Sequence, residues 1–195
     1  MIASSLVAVT DTCSIFPQTL RDVLLRTAEA ELYRLRWSEV ILDELSRNLQ
    51  EERGLTEGQA QHLLIAMRRA FPEATVTGYE HLVGSMTNHP GDRHVLAAAV
   101  HAGAQVIITD NLRDFPNEAL APFNIEAQTP DEFLADLSDR HPDQMARIIL
   151  DLNAARISPP EPLSATLERL AKSVPRFVAL LRENSSVVPR LGHVE

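Results

Sequence analysis

The polar and apolar positions of this chain fall into two recurring patterns. Leu6-Val7-Ala8-Val9-Thr10 and Gln105-Val106-Ile107-Ile108-Thr109 are short apolar runs, each followed at once by an aspartate. Runs of this kind predict buried strands. Ala74-Thr75-Val76-Thr77 predicts a further strand, and Phe123-Asn124-Ile125-Glu126-Ala127 a weaker one.

Between the strands the apolar residues recur at helical spacing. After Pro17, the positions Leu20, Val23, Leu24, Ala28 and Leu32 mark a helix over about Gln18–Glu31. Trp37-Ser38 opens a second helix, with Ser38 as its N-cap and Glu39 complementing the helix dipole, running to about Glu52. Gly54 and Thr56 close it and start another that runs to Ala70. The segment from His81 to Pro90 reads as loop or short helix, and Asp92–Ala102 as a clear helix. Pro130–Asp136 and Pro142–Asn153 are helices, the second carrying a proline where a helix start tolerates it. Strands alternating with helices favour a layered α/β structure with a mainly parallel sheet.

Composition shifts at Arg156-Ile157-Ser158-Pro159-Pro160-Glu161-Pro162, the best linker candidate. Two short helices are expected beyond it, over about Leu163–Lys172 and Pro175–Arg182. The expected division is a domain over residues 1–140 and a helical extension over residues 141–195 packed on it.

The length, 195 residues, suits one domain with a small appendage. No apolar run approaches the roughly 18 residues of a membrane span, and the first five residues lack a leader pattern. The chain is therefore expected to be cytoplasmic. Cys13 is the single cysteine, which excludes an internal disulfide and a cysteine zinc cluster within one chain. It is expected to be a small buried side chain beside a strand end. The net charge of −9 argues against a basic duplex-binding surface. It leaves room for a nucleic-acid enzyme whose site gains positive charge from a metal, and for a cationic partner.

Chemistry in open parallel sheets collects beyond the carboxyl ends of the strands. Asp11 lies at one such end; Asp110 and Asn111 lie at another, with Asp114 three residues on. Glu44 falls within the apolar stripe of Trp37, Val40, Ile41, Leu45 and Leu49, where a carboxylate needs a partner or a metal. Asp92 shares the face of Val95, Leu96 and Ala99 at a helix N-terminus. Each acid has a plain structural alternative. Asp11 and Asp92 suit helix caps, Asn111 and Asp114 suit a turn, and Glu44 suits a buried arginine. If the acids converge, their repulsion calls for a divalent cation, and oxygen donors favour Mg²⁺ or Mn²⁺ over zinc.

These residues carry a resemblance. Val9-Thr10-Asp11-Thr12 comes first, then the acid-bearing helix from Ser38 to Leu45. Gly91-Asp92-Arg93-His94-Val95-Leu96-Ala97-Ala98-Ala99 follows, and Ile108-Thr109-Asp110-Asn111-Leu112-Arg113-Asp114-Phe115-Pro116 closes the series. The chain resembles the PIN domain family over about Leu6–Leu137, in the branch similar to VapC-type toxin ribonucleases. The resemblance implies a three-layer α/β/α, Rossmann-like fold with a central parallel sheet, and a Mg²⁺- or Mn²⁺-dependent endoribonuclease. It implies an RNA substrate, a small antitoxin partner and a homodimer. Asp11, Glu44 and Asp92 match the family's first three acids, and Asn111 stands at the fourth position, flanked by Asp110 and Asp114.

The expected roles follow. Asp11 and Asp92 are metal ligands, with Asp110 or Asp114 completing the shell; Glu44 handles the attacking water, and Asn111 fixes the site. Arg93 and Arg113 steer RNA phosphates, or else pair on the surface. His94 is expected in the core or on the helix surface. One rival is a catalytically inactive PIN-like module that binds RNA or protein, favoured only by Asn111. Another is a doubly wound phosphatase, but Asp11-Thr12-Cys13 lacks the second acid of an Asp-x-Asp. No Gly-x-Gly-x-x-Gly follows the first strand, which sets aside a dinucleotide enzyme.

Overall fold

The computed structural model describes residues 6–155 and 162–184. Most of the expected linker, from Arg156, and the first five residues lie outside the described residues. The chain forms two compact units.

Among the described residues, the first unit holds 6–17 and 31–129. Its elements begin with β1 (Val7–Thr10) and the single turn α1 (Thr12–Ile15). The chain leaves this unit as α2 (Gln18–Glu29) and returns as β2 (Arg34–Ser38), α3 (Glu39–Arg53) and α4 (Glu57–Ala70). There follow β3 (Thr75–Val76), α5 (Glu80–Val83), α6 (Arg93–His101), β4 (Val106–Ile108), α7 (Asn117–Leu120) and β5 (Glu126–Gln128).

All five strands are parallel, in the order β3-β2-β1-β4-β5. A central parallel sheet flanked by helices is the α/β/α arrangement expected from the alternation of elements. Burial explains the central strands: Ala8, Val9, Ile107 and Ile108 are fully inaccessible, as befits strands covered on both faces. The sheet grows outward from β1 in both directions, so β1 and β4 flank the point where strand order reverses. Loops leave the carboxyl ends of those two strands to opposite sides and open a crevice there.

One strand escapes the hydrophobic pattern. β2 reads Arg-Leu-Arg-Trp-Ser, and only Leu35, Trp37 and Ser38 are buried. It lies inside the sheet, where continuous apolar runs are the rule, yet it carries arginines at alternate positions. Trp37 therefore closes a strand before Ser38 begins the helix. Its indole N–H donates to Thr75 Oγ1 at 3.1 Å, linking β2 to β3, and its ring meets Phe71 edge-on. β5 starts later than expected because Phe123 closes a 3₁₀ turn and Asn124 takes a left-handed conformation.

α3 starts where its cap predicts: Ser38 Oγ accepts from the Ile41 N–H at 3.3 Å. It ends at Gly54, whose φ of 67° suits glycine at a helix C-terminus. Its buried stripe is Ile41, Leu42, Leu45 and Leu49, whereas Val40 is exposed.

Among the described residues, the second unit holds 18–30, 130–155 and 162–184. It contains α2, α8 (Pro130–Arg140), α9 (Pro142–Ala154), α10 (Leu163–Leu170) and α11 (Pro175–Glu183). Phe133, Leu134, Met145, Ile149, Leu167 and Phe177 form its core. No helix among the described residues is long and apolar enough to cross a membrane.

Candidate functional site

Asp11 follows β1 directly and is 4 % exposed. Its backbone N–H donates to the Ile108 carbonyl at 3.0 Å, which ties it to the end of β4. Its Oδ1 accepts from the Thr12 N–H at 2.7 Å, so the residue does cap α1. Its Oδ2 accepts from Thr109 Oγ1 at 2.7 Å and from the Cys13 thiol at 3.2 Å. Thr109 Oγ1 in turn accepts from the Asn111 N–H at 3.1 Å. Capping and site-building are thus done by different oxygens of one carboxylate.

Cys13 sits over the same junction. Burial, followed by the neighbouring Asp11 charge, pushes its thiol up to about 11. It stays protonated near neutrality and is a poor nucleophile.

Glu44 projects from the middle of α3. Its Oε2 accepts from Thr12 Oγ1 at 2.8 Å, and its Oε1 lies 3.6 Å from His94 Nε2. The second distance is that of an ion pair and too long for a good hydrogen bond. The partner of Glu44 is therefore a histidine of α6, not the arginine that its inward position suggested. Burial favours the neutral acid, but His94, Thr12 and the charge of Arg47 outweigh it and hold the Glu44 carboxyl below its usual range. His94 shows the reciprocal effect. Burial alone would lower it, but Glu44 and the Gly91 carbonyl hold it above the ordinary histidine value. Its Nδ1 lies 3.0 Å from that carbonyl, which makes Nδ1 the donor and leaves Nε2 toward Glu44.

Asp92 stands at the N-cap of α6 without a side-chain capping bond. Instead its Oδ2 lies 2.9 Å from His89 Nδ1. Burial raises its carboxyl above the usual value; His89 opposes this, and repulsion from Asp11 and Asp114 adds to it.

Asp11, Glu44, Asp92 and Asn111 line one pocket of about 320 Å³, together with Thr12, Cys13, Phe16, Asn48 and Glu52. Four acid and amide positions spread from residue 11 to residue 111 thus meet where the strand order reverses. Asp114 does not line this pocket but joins Asp92 and His89 in a group whose donor atoms all lie within 4.8 Å of one another. Asp92 belongs to both. Asp110 is exposed and lies in neither set, although burial and then the Asp11 charge raise its carboxyl. Arg113 is almost fully exposed, 3.7 Å from Asp114, and the Arg93 Nε donates to the Asn88 carbonyl at 3.4 Å.

His89 is the residue that sequence reasoning passed over. It lies in a loop, and only its position three before Asp92 marks it. Asn48 and Glu52 follow Glu44 at four and eight residues, so helical spacing does place them on its face. Thr12 and His94 adjoin acids in sequence, but neither neighbourhood alone shows that both hold Glu44.

A family model described as "PIN domain" matches residues 8–113, more than half of the chain. The chain belongs to the PIN domain family. A second model, "VapC50 C-terminal domain", matches residues 130–183, the stretch of α8 to α11. A relative from Mycobacterium tuberculosis (strain ATCC 25618 / H37Rv), named "Putative ribonuclease VapC50", is 45 % identical over 105 residues. Those residues make up 54 % of this chain and 62 % of that protein, so the match spans less than two thirds of the relative's length. No solved structure matches the chain. The pocket acids lie inside the matched PIN domain, and Asp114 follows its last matched residue.

Proposed function

We propose that this PIN domain is a metal-dependent endoribonuclease acting as the toxin of a type II toxin–antitoxin system. The observation that carries the reading is the single pocket shared by Asp11, Glu44, Asp92 and Asn111. Family membership and the ribonuclease name of the relative support it.

The donor set fits a divalent ion. Burial raises the Asp92 carboxyl and repulsion from Asp11 and Asp114 adds to it, and a bound cation relieves that repulsion. Asp11 and Asp92 are the proposed ligands, with Asp114, and Asp110 only after rearrangement, completing the shell. The ion is Mg²⁺ or Mn²⁺. When bound, it supplies positive charge for the scissile phosphate and for the water that attacks it.

The chain's own residues do the rest. Glu44, kept ionised by Thr12 and His94, accepts a proton from the attacking water. That water forms the new P–O bond as the bond to the 3′ oxygen breaks, leaving a 5′-phosphate and an alkoxide that takes a proton from solvent to become the 3′-hydroxyl. Thr109 holds Asp11 in place, and the Asn111 N–H fixes the Thr109 hydroxyl in turn. Arg113, exposed beside Asp114, and Arg93 are the proposed phosphate contacts. A small antitoxin with a basic segment suits the net charge of −9, and a cytoplasmic homodimer is proposed with it.

The test is cleavage of mixed cellular RNAs by purified protein with Mn²⁺, Mg²⁺ or EDTA, followed by mapping of the ends. Metal-dependent cleavage that Asp11→Asn and Asp92→Asn both abolish is expected. Full cleavage by both folded variants, or none by the native protein with either metal, overturns the reading.

A further inference from the structure

We infer that His89 is a ligand of this site, which makes it a mixed nitrogen–oxygen centre that favours Mn²⁺ over Mg²⁺. The inference rests on the divalent-ion reading above and adds to it a donor and a selectivity.

Three observations support it. His89 Nδ1 and Asp92 Oδ2 lie 2.9 Å apart. Two donors at right angles on an ion with bonds of about 2.1 Å are separated by roughly 3 Å. The Asp114 oxygen joins them in a group whose donor atoms all lie within 4.8 Å of one another, so a small inward movement brings all three within the roughly 4.2 Å that separates donors across one ion. The backbone fixes the three together: the His89 N–H donates to the Asp114 carbonyl at 3.1 Å and the Asp92 N–H to the His89 carbonyl at 2.9 Å.

The third observation is Gly91. A Cβ at that position would lie 3.3 Å from His89 Nδ1 and 3.4 Å from the adjoining ring carbon. The shorter distance is tight, so a side chain at that position would press the imidazole to shift by a few tenths of an ångström from its place beside Asp92. The ring is otherwise free to adjust, because the His89 side chain is 57 % exposed.

Selectivity follows from donor chemistry. Mg²⁺ binds oxygen and gives up water reluctantly, whereas Mn²⁺, though the weakest nitrogen binder of its row, accepts an imidazole more readily than Mg²⁺ does. An oxygen-only shell built from Asp11, Asp92 and Asp114 would discriminate weakly between Mg²⁺ and Mn²⁺. Adding His89 improves the Mn²⁺ site and does little for Mg²⁺.

The experiment measures metal binding to the full chain, without RNA. Free Mn²⁺ is followed by electron paramagnetic resonance, Mg²⁺ by competition against it, and pulsed resonance of the bound Mn²⁺ seeks the ¹⁴N modulation of a ligated imidazole. The native protein is expected to show that modulation. His89→Ala should lose it and bind Mn²⁺ about tenfold more weakly, with Mg²⁺ affinity changed by less than about threefold. Gly91→Ala, which removes no donor, should weaken Mn²⁺ in the same sense.

Absence of nitrogen modulation in the native protein, with His89→Ala binding Mn²⁺ normally, overturns the inference. If Asp92→Asn and Asp114→Asn weaken binding in that case, the carboxylate site stands without His89. If they too bind normally, the divalent-ion reading falls with it.

Discussion

Thr109 Oγ1 donates a 2.7 Å hydrogen bond to Asp11 Oδ2 across 98 residues of sequence, and both side chains are buried. The bond joins the carboxyl ends of β1 and β4. The threonine hydroxyl also accepts from the Asn111 N–H, so one atom serves the acid and the turn beside it. Removing it leaves a buried carboxylate oxygen and a backbone N–H short of partners. Thr109→Val, close in shape, should therefore destabilise the fold by about 1–3 kcal/mol. Thr109→Ser, which keeps the hydroxyl, should recover most of the loss. Urea unfolding of the three proteins measures both effects, and equal stability of the native and valine forms would contradict them.

Asp92 makes the opposite prediction. Burial, with repulsion from Asp11 and Asp114, raises its carboxyl. A raised acid binds its proton more tightly in the folded state, so the ionised form at neutral pH opposes folding. Asp92→Asn should make the metal-free protein more stable, by a few tenths to about 1 kcal/mol. The same change should reduce the stabilisation gained on adding Mn²⁺. Melting temperatures in EDTA and in Mn²⁺ should cross between native and variant protein. A variant less stable under both conditions would show that Asp92 is needed by the fold itself.

How far the sequence disclosed this site depends on what fixes each residue. Asp11 and Asn111 were legible because parallel strands bring their carboxyl ends to one edge, so an acid after each of two buried runs has few other places to go. Glu44 was legible as an inward acid because α3 keeps its period. His89 was not, since no periodicity governs a loop, and its place is set by backbone bonds to Asp114 and Asp92. β2 was missed because its alternating arginines do not look like an interior strand. For His94, helical spacing leaves the core and the helix surface both open and does not show that Glu44 waits 3.6 Å away.

The Glu44–His94 pair predicts a pH window. Glu44 is held below its ordinary value of 4.5, so its contribution is complete above that value and lost as pH falls through the lower, folded one. His94 is held above its ordinary value of 6.5, so its contribution is complete below 6.5 and fades as pH rises through the higher, folded one. Both are complete between about 4.5 and 6.5. Metal-free native protein should exceed His94→Gln in stability by the largest margin in that window, on the order of 1 kcal/mol. The margin should shrink on either side. Chemical denaturation across pH 3.5–8.5 in EDTA tests it, and a margin independent of pH would mean that His94 acts by packing alone.

The second unit offers a test that involves no site residue. α11 begins at Pro175, and its preceding residue, Val174, has no side chain able to cap it. The cap comes from another helix. Asp131 of α8 accepts from the Arg176 N–H at 3.1 Å through one oxygen and from the Phe177 N–H at 2.9 Å through the other. Those are the N–H groups of the second and third helical residues, the donors that an adjacent capping side chain ordinarily serves. A carboxylate there also complements the helix dipole. Asp131→Ala should cost about 0.5–2 kcal/mol. It should loosen the start of α11, seen as faster amide exchange at Arg176 and Phe177. Asp131→Asn keeps one acceptor and should lie between the native and alanine forms. Unchanged exchange in the alanine variant would assign the order of α11 to the packing of Phe177 and Leu181 alone.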